Sequence, residues 1–237
     1  PWWSVAFSPC KLNRTDRCFM ENLTESISLT EVVRRVAGGE AVVIAQPVEA
    51  GTLSLDRLSD EEKARAAAFS HSASRQAFLT GRTLLRRVLE AFVKEVRISL
   101  GPHGKPDCRD PNVPQFNLSH SGGRVAVVFS FSGPVGVDLE SRHRVPRNPD
   151  RIAAKVFSSP EREVLKDRPG EFLTLWTRKE ALLKAMGQGF AVGASSLDPE
   201  QILQRSGWRL DEFICGDLLG AVCVPASTPT VFRKGLC

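Results

Sequence analysis

Two carboxylates stand two residues apart in the run Gly136-Val137-Asp138-Leu139-Glu140. The alternation predicts a strand over 135–140, with both acids on one face and Val137 and Leu139 turned to the core. Like charges on one face repel unless they are solvated or neutralised. Hard oxygen ligands of this kind suit Mg²⁺, which typically takes one or two carboxylates plus phosphate oxygens. An exposed strand edge carrying two surface acids is the alternative on these residues alone. A third acid lies in Trp176-Thr177-Arg178-Lys179-Glu180-Ala181-Leu182-Leu183-Lys184, within a helix predicted over 172–186 and closed by Gly187. At about 100° per residue, Glu180 falls about 40° from Trp176 and Lys184 about 80° from it. Glu180 therefore borders the apolar stripe of Phe172, Trp176 and Leu183, where a carboxylate needs a partner. An ion shared with Asp138 and Glu140 would supply one. Glu180 and Lys184 also have the spacing of an i,i+4 pair, which as plain surface support is worth about 0.2–0.5 kcal/mol.

Two further stretches suit anions. Phe116-Asn117-Leu118-Ser119-His120-Ser121-Gly122-Gly123 reads as a short strand entering a small-residue turn, which offers backbone N–H groups, hydroxyls and one imidazole. An ordinary polar turn has the same composition. Residues 69–97 carry Arg75, Arg82, Arg86, Arg87, Lys94 and Arg97 against Glu90 and Glu95. Arg75, Arg82 and Arg86 share a helical face, where forked guanidinium bonds could hold a nucleotide phosphate. A solvated basic face is the plainer reading.

The elements that must position these groups follow from punctuation and period. Strands are expected over 41–45, 125–131 and 135–140, and near the end over 208–213 and 221–224. Ser59-Asp60-Glu61-Glu62 is a capping-box start for an alanine-rich helix. A longer helix is expected over 72–92, and Ser158-Ser159-Pro160-Glu161 opens another. Gly104-Lys105-Pro106 and Asp110-Pro111 mark loops. Helices and strands mix without regular alternation, so the fold class is α+β, with two halves meeting near Gly133-Pro134. The division is 1–40 as a loose arm, 41–133 as the N-terminal half and 134–237 as the C-terminal half.

The chain has 237 residues, 42% hydrophobic and 25% charged, which excludes a collagen or a wholly disordered polymer. No apolar run approaches the roughly 20 residues of a spanning helix. The six cysteines lack C-x-x-C spacing and read as free thiols of a reducing, cytoplasmic compartment. The net charge of +5 suits a polyanionic small molecule or an acidic protein.

Taken in order, Gly104-Lys105-Pro106, Phe116-Asn117-Leu118-Ser119-His120-Ser121, Gly136-Val137-Asp138-Leu139-Glu140 and Trp176-x-x-Lys179-Glu180-Ala181-x-x-Lys184-x-x-Gly187-x-Gly189 resemble the 4'-phosphopantetheinyl transferases of the Sfp type. The resemblance spans about residues 55–200. It implies a pseudo-dimer of two similar α+β halves with coenzyme A in the cleft between them. It implies transfer of the phosphopantetheine arm from coenzyme A to a serine of an acyl or peptidyl carrier protein, with release of 3',5'-ADP and a requirement for Mg²⁺. By motif position, Asp138, Glu140 and Glu180 would hold the metal, with Glu180 also the general base, and Lys184 would lie at the pyrophosphate. Gly104, Lys105, Pro106, Ser119 and His120 would contact the coenzyme A phosphates and adenosine. Ser70, His71 and Ser72 depart from the basic residues often found after the position of Phe69, which leaves Arg75, Arg82 and Arg86 as local candidates for the 3'-phosphate. A monomer without membrane or nucleic-acid partner is expected. A nucleic-acid module would want aromatic platforms among its basic residues, and only Phe78 and Phe92 stand there, at apolar positions. A catalytically dead coenzyme A scaffold would have no use for a complete acid trio.

Overall fold

The computed structural model describes residues 21–22, 25–49, 55–101, 104–144, 146–187 and 193–236. The N-terminal part contains β1 (Glu21–Asn22), β2 (Ser26–Ile27), α1 (Leu29–Ala37), β3 (Ala41–Pro47), α2 (Asp60–Ala67), α3 (Ser72–Leu89), β4 (Ser99–Leu100), β5 (Pro106–Asp107), β6 (Gln115–Ser121) and β7 (Arg124–Ser130). The C-terminal part contains β8 (Gly136–Ser141), α4 (Pro149–Val156), α5 (Ser159–Asp167), α6 (Phe172–Met186), α7 (Pro199–Ser206), β9 (Trp208–Cys215), β10 (Leu218–Pro225), β11 (Thr230–Arg233) and β12 (Gly235–Leu236). The fold is mixed α+β.

Two four-stranded sheets dominate, in the orders β11-β3-β7-β6 and β1-β9-β10-β8. In each, a strand leads to a long helix and then to a hairpin whose second strand lies between the other two: β3, α3, β6, β7 in one, and β8, α6, β9, β10 in the other. Short strands cross between the parts, β12 lying parallel to β2 in a small sheet of its own. β11 runs parallel to β3, and β1 runs parallel to β9.

Strand alternation sorts the side chains into layers. Val42, Ile44, Val127 and Phe129 face α1 and α3, where Val32, Val36, Leu85 and Leu89 cover them. The opposite faces of the same strands, with Val43, Ala126 and Val128, pack on Val137, Leu139, Val222 and Val224 of the second sheet. Beyond that sheet, Ala221 and Cys223 meet Ala181, Leu182 and Ala185 of α6. The order is therefore helices, sheet, sheet, helix.

The two sheets also meet edge to edge at β6 and β8. Here side chains replace a backbone ladder. Asn117 Oδ1 accepts from the Val137 N–H at 2.9 Å, Ser119 Oγ from the Leu139 N–H at 3.3 Å, and Ser121 Oγ from the Ser141 N–H at 3.1 Å. Three residues of β6 at period two thus satisfy three donors of β8 that would otherwise lie unpaired in the interior.

Residues 25–40, expected as part of a loose arm, form β2 and α1, which send Ile27, Val32 and Val36 into the core. Ser28 Oγ caps α1 by accepting from the Glu31 N–H at 3.2 Å. Val32 and Val36, four apart, are fully buried on one face of the helix. The rest of the expected arm, 1–20 with 23–24, lies outside the described residues, as does Gly189 of the α6 motif. Cys108, Cys215 and Cys223 are buried free thiols. Among the described residues no helix is long and apolar enough to cross a membrane.

Candidate active site

The alternation that sends Val137 and Leu139 between the sheets turns Gly136, Asp138 and Glu140 to the α6 side of β8. Gly136 sets how near the helix comes. A Cβ there would lie 2.0 Å from the Ala181 carbonyl oxygen and 2.4 Å from the Ala185 nitrogen, so only glycine permits this approach. The small Ala181 and Ala185 complete the contact on the helix. α6 ends at Gly187, whose φ of 71° lets its N–H close on the Leu183 and Lys184 carbonyls.

This close packing brings Glu180 and Lys184 over the acids of β8. The acids are buried, Asp138 at 5% and Glu140 at 6% exposure, which removes the reading of an exposed edge with surface charges. Lys184 Nζ donates to Asp138 Oδ1 at 2.7 Å, to the Val137 carbonyl at 3.1 Å and to Ser119 Oγ at 3.3 Å. It thus bonds across to β8 and β6 rather than along the helix to Glu180. Ser119 Oγ–H donates to the same Asp138 Oδ1 at 2.8 Å. Ser121 Oγ–H donates to Glu140 Oε2 at 2.9 Å, and Arg144 Nη1 donates to Glu140 Oε1.

Burial pushes the half-buried Glu180 carboxyl up to about 7; Lys184 opposes the shift, and repulsion from Asp138 and Glu140 adds to it. Burial also raises Glu140, against the Ser121 hydrogen bond and the Arg144 charge. Glu140 and Glu180 are therefore each penalised by desolvation and by like-charged neighbours.

The donor set fits a hard divalent cation in chemistry. Three carboxylates converge on one region, and the buried Asp138 Oδ2 has no hydrogen-bond partner. Lys184 occupies one oxygen of Asp138, and Arg144 one oxygen of Glu140. Among the described residues no three His, Cys, Asp or Glu side chains are gathered as a ready cage.

Lys105 supports the site from the loop before β5. Its Nζ donates to the Lys184 carbonyl at 2.7 Å and to the Val135 carbonyl at 3.2 Å, which ties the N-terminal part to both α6 and the approach to β8. Burial lowers its pKa. Gly104 beside it has a φ of 75°, and Pro106 begins β5. Ser119 has one proton and two lone pairs, and Asp138, Leu139 and Lys184 take all three. Lys179, next to Glu180, is turned about 100° around the helix and is 1% exposed. Its Nζ donates to the Val156 carbonyl at 3.0 Å and to the Glu161 carboxylate, the group that also closes the capping box of α5 on Ser158.

The remaining expected site residues stand apart from this cluster. His120 is exposed on β6, on the face opposite Ser119 and Ser121. Arg75 is exposed near the start of α3, whereas Arg82 and Arg86 are buried. Arg86 Nε donates to Glu62 Oε2 at 2.6 Å and its Nη1 to the Val96 carbonyl at 3.1 Å. Arg82 lies 3.6 Å from the other Glu62 oxygen, with its guanidinium 5.3 Å from the Phe78 ring centre. Asn117 at the seam, and Ser121 and Arg144 at the acids, were not singled out as site residues. For the first two the available signal was their period-two spacing with Ser119; Arg144 left none beyond one charge in a basic loop.

A family model described as the 4'-phosphopantetheinyl transferase superfamily matches residues 134–217. The 4'-phosphopantetheinyl transferase AcpT of Salmonella typhi is 36% identical over 196 residues, covering 78% of this chain and 95% of AcpT. A relative from Synechocystis sp. is 35% identical over 159 residues, 62% of this chain and 64% of its own length. The 4'-phosphopantetheinyl transferase Sfp of Bacillus subtilis is 30% identical over 148 residues, 59% of this chain and 64% of Sfp. The chain therefore spans slightly under two thirds of the last two relatives and nearly all of the first.

Proposed function

The chain belongs to the 4'-phosphopantetheinyl transferase superfamily, and from that premise we propose that it moves the phosphopantetheine arm of coenzyme A to a serine of an acyl or peptidyl carrier protein, in an Mg²⁺-dependent reaction that releases 3',5'-ADP. The observation that carries this reading is the meeting of Asp138 and Glu140 on β8 with Glu180 and Lys184 on α6. A pseudo-dimer with its active site between the halves is supported by the shared strand, helix and hairpin order and by the seam of β6 and β8 beside the acids.

The reaction joins the serine Oγ to the phosphorus that bears the pantetheine arm and breaks that phosphorus–oxygen bond to ADP. It needs in-line placement, a proton acceptor and neutralisation of charge. Asp138, Glu140 and Glu180 would hold Mg²⁺, which supplies charge neutralisation at the diphosphate oxygens. Glu180 takes the serine proton, directly or through one water. Burial raises its carboxyl to about 7, and a divalent ion beside it would bring that value down, so that the carboxylate stands charged and able to accept the proton. Lys184 leaves its apo partner Asp138 and balances the charge on the departing ADP phosphate. Lys105 holds the last turn of α6 through the Lys184 carbonyl, and so fixes where that ammonium stands.

His120, exposed on β6, donates to the 3'-phosphate, and of Arg75, Arg82 and Arg86 it is Arg75 that is exposed enough to join it. His120→Ala then raises KM for coenzyme A more than it lowers kcat, and 3'-dephospho-coenzyme A levels the two enzymes. The net charge of +5 attracts an acidic carrier, so the encounter rate falls with salt. The decisive experiment is incubation with coenzyme A, Mg²⁺ and an apo carrier protein, followed by intact mass spectrometry. The carrier gains the mass of one phosphopantetheine arm on serine; an unchanged carrier mass with every carrier class refutes the assignment.

A further inference from the structure

The geometry points to Ser121 as a positioning residue for Glu140, acting from the other sheet. Ser121 belongs to β6 and Glu140 to β8, so the contact crosses the seam between the two parts of the chain. The hydroxyl makes two bonds at once. Its proton goes to Glu140 Oε2 at 2.9 Å, and its oxygen accepts from the Ser141 N–H at 3.1 Å. The second bond fixes the hydroxyl relative to the β8 backbone one residue beyond Glu140, so the first fixes the carboxylate's orientation on that strand.

The other partner of Glu140 is of a different kind. The Arg144 side chain is 56% exposed and sits in the turn after β8, so it can swing into water at little cost. Ser121 cannot leave without breaking the seam. A cation held by Glu140 would compete with the mobile Arg144, while Ser121 would keep the carboxylate oriented. Hydrogen bonds of this outer kind orient ligating carboxylates and commonly matter 10–100-fold in metal affinity. Ser119 stands in the same relation to Asp138, two residues earlier on each strand. The spacing 119 and 121 thus copies the spacing 138 and 140. Asn117 continues the row at Val137 but touches neither acid, which makes it an internal control for the seam alone.

This inference rests on the reading of Glu140 as a metal ligand, and the test separates the two. Mn²⁺ is titrated into the full chain with coenzyme A present and followed by its electron paramagnetic resonance, in parallel with urea unfolding. The variants are Ser121→Ala, Ser121→Thr, Asn117→Ala and Glu140→Gln. Ser121→Ala is expected to weaken Mn²⁺ about tenfold, and Ser121→Thr, which keeps the hydroxyl, to bind as the parent does. Asn117→Ala is expected to lower stability and leave Mn²⁺ affinity unchanged. Parent-like affinity in Ser121→Ala alongside weakened Glu140→Gln overturns the positioning role and spares the ligand reading. An equal affinity loss in Asn117→Ala also overturns it, because the seam as a whole would then be responsible. Parent-like affinity in Glu140→Gln overturns the ligand reading itself.

Discussion

α3 and α6 occupy matching places, each the long helix between one strand of a four-stranded sheet and the hairpin that packs beside it, yet they use charge in opposite ways. α3 turns Arg82 and Arg86 inward to Glu62 of α2, so its buried charge holds two helices of the same part together. α6 divides its charges between two sides. Lys179 is sealed against Glu161, while Glu180 and Lys184 reach over β8 toward the other part of the chain. Burial and like charge push Glu180 up to about 7, a tension that a purely structural helix would have no reason to keep. Strongly perturbed carboxylates concentrate where chemistry is done. The same scaffold thus carries a sealed ion cluster on one helix and, on the other, the perturbed cluster proposed to do the chemistry.

The largest effect expected from breaking this contrast is on turnover. Glu180→Gln with saturating Mg²⁺ lowers the transfer rate by about 10²–10⁴, while urea unfolding shows no loss of stability. Parent-like turnover would remove Glu180 from the mechanism. On the sealed side of α6 the effect is on folding. Lys179→Met leaves Glu161 buried beside Ser158 without a cation, at a cost of about 3–5 kcal/mol in unfolding free energy. Arg86→Met is expected to cost less, because Glu62 keeps Arg82 nearby. The reverse ranking in chemical denaturation would show that the two clusters are not built as described.

Gly136→Ala sharpens the contrast at the contact itself. Its methyl group would meet the backbone of Ala181 and Ala185, which cannot rotate away. Overpacking of this kind costs about 1–3 kcal/mol, and transfer activity should fall further than stability, because displacement of α6 carries Glu180 and Lys184 off the acids. A variant that loses stability but keeps full activity would show that this spacing is structural alone. The smallest effect belongs to the surface ion pairs of Glu31 on α1. The Arg34 hydrogen bond, with Arg35 nearby, lowers the Glu31 carboxyl from 4.5 to about 2. A depressed carboxylate stabilises the fold above its unfolded value and loses that contribution as pH falls through its folded value. Glu31→Gln should therefore melt slightly below the parent at pH 7, and the difference should vanish below pH about 2.

The strands and helices around the site were open to reading because local signals agreed with tertiary ones. Helix 172–186 with Gly187 has the bounds that periodicity and the glycine stop gave, and the Ser59 and Glu62 capping box forms as spelled. The alternation in 136–140 placed Val137 and Leu139 in the core and both acids on one other face. What stayed hidden depends on contacts across the chain. A helix-face argument pairs Glu180 with Lys184, but β8 and β6 offer the ammonium three acceptors at once, and they win. The i,i+4 spacing of Arg82 and Arg86 reads equally as a phosphate grip or a grip on Glu62, since both need forked donors. α1 was missed because nine residues with only two fully buried valines look like a polar stretch until β3 lies beneath them.

The central claim is that Asp138, Glu140 and Glu180 serve one divalent ion. Mn²⁺ titration in the presence of coenzyme A tests it most directly, comparing the parent with Asp138→Asn, Glu140→Gln and Glu180→Gln. Each variant is expected to bind Mn²⁺ more weakly by about tenfold or more while remaining folded. Parent-like binding in any one of the three would contradict the shared site.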